Sequence, residues 1–251
     1  MHNKPLFSIV TCTWNSAATL ADTLDSVRRQ SCTDVEHVFV DGGSSDATLA
    51  MLDAYPGRKV ILRNVTGGIS RAMNEGIRAA SGDIIAHLHS DDYYASSAVL
   101  DTVRAQFAQP GVDWVFGNIQ TLKNGVLLAP YRMPPFSYAS FVAGKASVPH
   151  PAVFIRRTLF ERVGLFDETL KYAMDIDLWL RLGAVARPAL VDQTLTVFRD
   201  HAGSVSSANK MTARREEFQV RRRHLRRAPF AFGVFCLRYL KRMRMLARSA
   251  E

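Results

Sequence analysis

Apolar runs and polar breaks alternate through the first half of this chain. Phe7 to Cys12 is a β-rich apolar run, followed by the cap-forming segment Thr13-Trp-Asn-Ser16. From Ala17 to Gln30 the apolar positions Leu20, Leu24 and Val27 recur at a helical period. Val35 to Val40 predicts a second strand, Thr48 to Tyr55 a helix, Pro56-Gly57 a turn and Lys59 to Leu62 a third strand. Gly67-Gly68 opens a helix through Ala80, closed by Ser81-Gly82. Ile84 to Leu88 lacks alternation, which predicts a strand buried on both faces. Such a β-α-β-α-β-α-β order implies a mostly parallel sheet with right-handed crossovers and helices on both faces.

After a predicted helix at residues 96 to 108 the regularity loosens. Trp114 to Phe116 reads as a strand, and Gly117 to Ala129 as a hairpin around Asn124-Gly125. Residues 130 to 148 read as loop plus a short helix. Pro151 to Ile155 predicts a strand, Thr158 to Val163 a helical turn, Ala173 to Leu182 a helix and Leu190 to Phe198 a closing strand. The one compositional boundary falls near residue 208. It divides an expected domain over residues 1 to 207, with halves at 1 to 118 and 119 to 207, from a tail over 208 to 251.

Charge sharpens that boundary. The 251 residues carry a net charge of +9, yet residues 210 to 251 hold 13 Lys or Arg against 3 Glu, so the body before them is close to neutral. A neutral body offers nucleic acid no electrostatic footprint. In the tail, Phe232, Phe235, Tyr239, Leu240, Met243 and Leu246 share one helical stripe, with Arg238, Lys241, Arg242, Arg244 and Arg248 on the other side. This pattern suits either an anionic membrane surface or a helix packed on the preceding domain. The Arg221-Arg-Arg223 and Arg226-Arg227 clusters favour the membrane. No segment approaches the length of a membrane span and no secretory signal is present. Three cysteines without ligand spacing (Cys12, Cys32, Cys236) fit reduced thiols of a cytosolic protein.

Candidate chemistry sits at strand ends. Asp91 and Asp92 follow the strand at Ile84, where open α/β sheets bind ligands; they suit a divalent cation and its phosphate, and equally a helix cap. Asp41-Gly-Gly-Ser-Ser-Asp46 lies between strand and helix, where a carboxylate can meet a base or ribose; an ordinary capped turn is the plainer reading. Arg71 and Asn74 share one helix face, and Arg71 could meet a phosphate or simply face solvent. Asp175 opens an amphipathic helix as a general base or a cap, and Asp177 serves the same helix start. Arg199 and His201 follow the last strand, where they could meet a diphosphate or metal.

In order along the chain, these motifs resemble those of family 2 glycosyltransferases. The matching segments are Phe7 through Asn15, Asp41 through Asp46, Gly68 through Ile77, Ser81 through Asp83 and Leu88-His-Ser-Asp-Asp92. They continue with His150 through Arg156, Gly164 through Glu168 and Asp175 through Arg181, so the resemblance covers about residues 6 to 207. It is closest to the bacterial branch that builds exopolysaccharide, O-antigen or colanic-acid-type repeats on a lipid carrier.

The resemblance implies a GT-A fold, an α/β architecture with a mostly parallel sheet flanked by helices, here followed by the basic helical tail. It implies a nucleotide-diphosphate sugar donor, UDP preferred, used with Mn2+ or Mg2+. Thr11, Thr13, Asp41, Arg71, Asn74, Ser90, Asp91, Arg199 and His201 would bind the nucleotide sugar. Asp91 and Asp92 would meet the metal, and Asp175 would deprotonate the acceptor hydroxyl, giving inversion at the anomeric carbon. His150 and Asp177 would face the acceptor, a glycan on a lipid carrier. The tail would hold the protein on the inner face of the bacterial plasma membrane. Two departures stand out: His89 replaces the first acid of the usual Asp-x-Asp, and Met174 replaces the acid before the base. The rivals are a sugar nucleotidyltransferase, for which the lysine-containing Gly-rich loop is missing, and a non-catalytic membrane or nucleic-acid-binding module.

Overall fold

The apolar runs assemble into one nine-stranded sheet in the computed structural model of the chain, which describes residues 4–200 and 210–248. Its first half follows the predicted alternation: β1 (Phe7–Thr13), α1 (Leu20–Arg28), β2 (Val35–Asp41), α2 (Thr48–Ala54), β3 (Lys59–Leu62), α3 (Ile69–Ala79) and β4 (Ile84–His87). β3, β2, β1 and β4 lie side by side and parallel, with Phe7 opposite both Val35 and Ile84. β1 and β4 are buried at every position, which is why neither sequence alternates. α3 crosses β1 at Gly76, where a Cβ would lie 2.3 Å from Cγ1 of Val10. All four strands bring their carboxyl ends to one edge.

The second half is mixed. It comprises β5 (Tyr93–Tyr94), α4 (Val99–Phe107), β6 (Trp114–Lys123), β7 (Val126–Leu127), α5 (Tyr138–Val142), a 3-10 turn (His150–Ala152), β8 (Val153–Arg156), α6 (Arg157–Val163), α7 (Met174–Gly183) and β9 (Ala189–Asp200). Beyond β4 the sheet continues β8, β6, β9, β5, with β8 antiparallel to both neighbours and β6 parallel to β9. β6 runs to Lys123 rather than stopping at Phe116, because β9 pairs with it as far as Asp200, with register shifts around Asn118. The expected hairpin survives at its end. Asn124 (φ 50°) and Gly125 (φ 77°) both take left-handed backbone between Lys123 and its partner Val126, as a two-residue primed turn requires. β5 was not predicted; two residues are too few to show a period, and only β9 makes them a strand.

Two helices close the chain, α8 (Lys210–Arg222) and α9 (Pro229–Arg248). Val220, Phe232 and Phe235 enter the same core as Phe141, Val142 and Trp179. Arg221 is buried with them, its guanidinium 5.2 Å from the Phe141 ring and 5.0 Å from Phe235, its Nε donating to Glu217 at 2.9 Å. Two members of the stripe expected to meet lipid, Phe232 and Phe235, are therefore spent on the protein core. Leu240 of that stripe stays in solvent, together with Phe230, Val234, Leu237 and Met245. Among the described residues no helix is long and apolar enough to cross a membrane. The expected boundary near residue 208 lies outside the described residues. Cys12 and Cys32 are buried and Cys236 half-buried, and all three are free thiols.

Candidate active site

The carboxyl edge of the sheet opens into a cleft of about 1160 Å³. Thr13, Trp14 and Ser16 reach it from the end of β1, Gly42 from the end of β2, and Gly67, Gly68 and Met73 from α3 and its approach. His89, Ser90, Asp91 and Asp92 follow β4 into it. From the other side come His150, the segment Lys171 to Ile176, and parts of α8 and α9. Asp91 and Asp175, 84 positions apart in sequence, thus line one cavity.

The two neighbouring acids differ in what they are free to do. Asp92 is buried, and its Oδ1 accepts the backbone N–H of Arg199 at 3.0 Å. Burial, and then the charge of Asp91, hold its carboxyl well above the usual range, although Arg199 opposes this. Asp92 therefore ties the loop after β4 to β9, and Asp91 lines the cleft beside it, half-buried. Ser90 donates to Ser16 Oγ at 2.8 Å and accepts from Thr19 through its carbonyl at 2.8 Å, fixing the loop against α1.

Asp175 stands half-buried in the first turn of α7, its Oδ1 accepting the N–H of Ile176 at 2.7 Å. Burial pushes its carboxyl up to about 6, against the Ile176 and own-backbone hydrogen bonds and the charge of Arg221; Glu217 adds to the rise. A carboxyl poised there is a suitable proton acceptor near neutral pH. The turn before it is clasped from α8: Glu216 Oε2 accepts the N–H groups of Lys171, Tyr172 and Ala173 at 3.1, 2.7 and 3.2 Å.

Most of the other expected site residues make hydrogen bonds within the protein. Thr11 is buried beneath the cleft, accepting from His37 Nε2 at 2.8 Å and donating to the Leu88 carbonyl at 2.7 Å. Asp41 is buried and organises its turn, accepting from Thr13 Oγ1 and from the N–H groups of Gly43 and Ser44. Burial opposes its ionisation, but the Ser44, Thr13 and Gly43 hydrogen bonds keep its carboxyl below the usual range. Asn74 fastens α3 to Phe166 and Glu168. Asp177 is buried between Arg181 (2.8 Å) and Arg223 (2.9 Å), tying α7 to the end of α8. Arg199 reaches the Asp91 carbonyl at 3.1 Å and Asp22 at 2.6 Å. Arg71 lies in a separate shallow groove that shares only Val65 and Thr66 with the cleft. Of the expected nucleotide and metal residues, Thr13, Ser90, Asp91 and Asp92 line the cleft, with His150 across from them. His201 lies outside the described residues.

The model of the family described as "Glycosyl transferase family 2" matches residues 8–164, more than half of the chain. The chain belongs to glycosyl transferase family 2. Within the family, a glycosyltransferase of Mycobacterium tuberculosis is 35% identical over 204 residues, 79% of this chain and 76% of the relative. The PGL/p-HBAD biosynthesis glycosyltransferase of Mycobacterium bovis BCG is 32% identical over 198 residues, 77% of this chain and 75% of its own length. Among solved structures, S. aureus TarS residues 1–349 with UDP-GlcNAc superposes with a TM-score of 0.77 at 20% identity, covering 94% of this chain and 72% of TarS. The mannosyltransferase PcManGT of Pyrobaculum calidifontis, solved with GDP-Man and Mn2+, gives 0.66 at 16%, covering 99% and 80%. The architecture is that of GT-A enzymes, and the chain is a glycosyltransferase.

Where family members use a divalent cation, the donor set here is lean. No group of three or more His, Cys, Asp or Glu able to hold a metal occurs among the described residues. After the strand, Asp91 and the buried Asp92 line the cleft, with His89 two residues before Asp91. This fits a small hard cation that takes most of its oxygens from substrate phosphates and water rather than from a protein cage. His89 belongs to a histidine group: its ring stacks on His150 at 5.2 Å, and His150 lies 5.5 Å from the buried His87. Burial holds all three below the ordinary imidazole range, His87 down to about 3. The imidazoles are neutral at pH 7 and add no charge beside Asp91.

Two site residues escaped the sequence reading. Trp14 is 70% exposed at the cleft mouth, beside Gly42. An indole in an otherwise polar loop after a strand was the signal that could have singled it out. Glu216 had no signal, because its partners are more than forty residues away.

Proposed function

We propose that the enzyme moves a sugar from a nucleotide-diphosphate donor to a hydroxyl of a glycan acceptor in a single displacement with inversion. The reading rests on one observation: Asp91 at a strand end and Asp175 at a helix start share a cleft. The donor diphosphate lies toward Asp91, and the flat face of Trp14 stacks on the base. A divalent cation, Mn2+ or Mg2+, bound by Asp91 would neutralise charge on the leaving diphosphate. Asp175 takes the proton of the acceptor hydroxyl as its oxygen bonds to the anomeric carbon. The bond from that carbon to the diphosphate breaks, and its electron pair departs with the diphosphate. UDP is the preferred nucleotide; TarS was solved with UDP-GlcNAc, and PcManGT with GDP-Man keeps guanosine in view. His150 lies on the acceptor side.

The acceptor is lipid-linked in this reading, and the enzyme sits peripherally on the inner face of the plasma membrane. The exposed α9 stripe supports it, as do the solvent-exposed Arg222, Arg226, Lys241 and Arg244 nearby. Each cation near anionic lipid contributes about 1 kcal/mol. The test supplies a panel of nucleotide sugars with Mn2+ to the wild type and to Asp91→Asn. Transfer with inverted anomeric configuration, lost in the variant while circular dichroism is retained, is expected. Undiminished transfer would remove Asp91 from the mechanism.

A further inference from the structure

The wall of the cleft around Asp175 carries side chains that the transfer chemistry does not use. Ala213, Arg214 and Glu217 from α8 and Arg242 and Met245 from α9 line it together with Asp175. Glu217 already holds two cations: Arg214 donates to its Oε2 at 2.7 Å and the buried Arg221 to its Oε1 at 2.9 Å. Arg242 is half-buried and makes no hydrogen bond or ion pair among the described residues. Burial, then Arg214 and Arg238, hold its guanidinium below the ordinary range, although Glu217 works the other way. Three guanidinium groups thus gather around Glu217, with Asp175 as the second carboxylate facing Arg221, and a half-buried cation with no hydrogen-bonded anion of its own is costly until one meets it.

We infer that this wall binds an anionic group of the acceptor, a phosphate or carboxylate near the reacting hydroxyl, through Arg214 and Arg242. The inference rests on the glycosyltransferase reading with Asp175 as base. The acceptor is the right partner because of where the arginines originate. The donor end of the cleft is built by β1, β2 and the end of β4. The arginines come instead from the helices that wall the Asp175 side, and α8 also carries the Glu216 clasp in front of that base. A guanidinium fork matches either oxyanion bidentately. Two sources supply this chemistry, a diphosphate joining the glycan to a lipid or an acidic sugar within the glycan. Met245 lines the cleft and is 62% exposed, so an apolar chain leaving the wall would pass directly onto the outer surface of α9.

The experiment is calorimetry on the full chain in EDTA, comparing wild type, Arg242→Gln, Arg242→Lys and the Arg214→Gln/Arg242→Gln double variant. The probes are inorganic diphosphate, farnesyl diphosphate, glucuronate and, as a neutral control, glucose. At least tenfold weaker anion binding is expected in the double variant, with most affinity kept by Arg242→Lys and UDP affinity with Mn2+ unchanged. Farnesyl diphosphate binding more tightly than inorganic diphosphate would identify the lipid-linked source; glucuronate matching diphosphate would identify the acidic sugar. The subsite is overturned if the Gln variants bind anions as wild type does, or if wild type binds none of them. It is also overturned if UDP affinity falls in step, which would give the arginines to the donor. Thermal melts separate these outcomes from unfolding, and the single Arg242→Gln variant, which breaks no hydrogen bond or ion pair among the described residues, decides the matter if the double variant does not fold. Sugar transfer to neutral acceptors that persists in the double variant would leave the enzyme reading standing whichever way the subsite falls.

Discussion

Replacing Asp175 with Asn should make the protein more stable and far less active, and the stability gain should depend on pH. Burial raises the carboxyl from an ordinary 3.8 to about 6. Because the folded state favours the protonated form, the favourable contribution is complete below pH 3.8 and is lost as pH rises through about 6. Each unit is worth 1.36 kcal/mol, so keeping the ionised carboxylate at pH 7 costs about 3 kcal/mol. Asn keeps the shape and removes the charge. Urea unfolding of both proteins at pH 3.5, 5 and 7.5 measures the difference, which should grow toward about 3 kcal/mol across that range in favour of Asn. Transfer should fall by about 10²–10⁴, the usual worth of a general base. Wild-type transfer should rise with pH along a limb centred near 6 and level off above it. A stability difference that does not change with pH would refute the buried-carboxyl argument, and an active variant would refute the role as base.

Further outcomes follow from residues around the cleft. Trp14→Ala should weaken UDP or GDP binding about tenfold or more by calorimetry while leaving the melting temperature nearly unchanged, since the indole is exposed and base stacking is worth about 1–3 kcal/mol. Glu216→Ala leaves three N–H groups before Asp175 without their acceptor; a loss of about 1–3 kcal/mol in unfolding free energy and a lower kcat are expected, and unaltered kcat would show that the clasp does not position the base. On α9 the two faces should separate: Phe235→Ala should cost about 3–5 kcal/mol in stability, whereas Leu237→Glu should spare stability and lower binding to anionic vesicles in a sedimentation assay.

The first half was legible because its strands are short apolar runs broken by polar turns, and parallel pairing leaves little else for such a pattern to build. Asp91 and Asp175 stood out by their places at a strand end and in a first helical turn, yet Asp92 and Asp177 hold equivalent places and are paired within the protein, so position alone does not separate a site acid from a structural one. Motif membership was less informative about direction. Thr11, Asp41 and Asn74 belong to the same motifs, yet they turn their polar atoms into the scaffold that shapes the cleft. β5, the full length of β6 and the clasp of Glu216 depend on partners distant in sequence, where periodicity carries no information. The tail showed an amphipathic pattern, but a pattern cannot say whether an apolar face finds protein or lipid. α9 has two such faces, and the one with the larger aromatic rings went to the core.

Because α8 and α9 are rooted beneath Phe141 and Val142, the basic C-terminal segment is not a handle that can be cut away or traded between relatives. A protein truncated before Lys210 would bare aromatic surface and release the turn that presents Asp175, so its inactivity would say nothing about where the enzyme resides. If the proposed membrane contact and acceptor subsite both reside on these helices, chimeras exchanging the segment should move address and selectivity together.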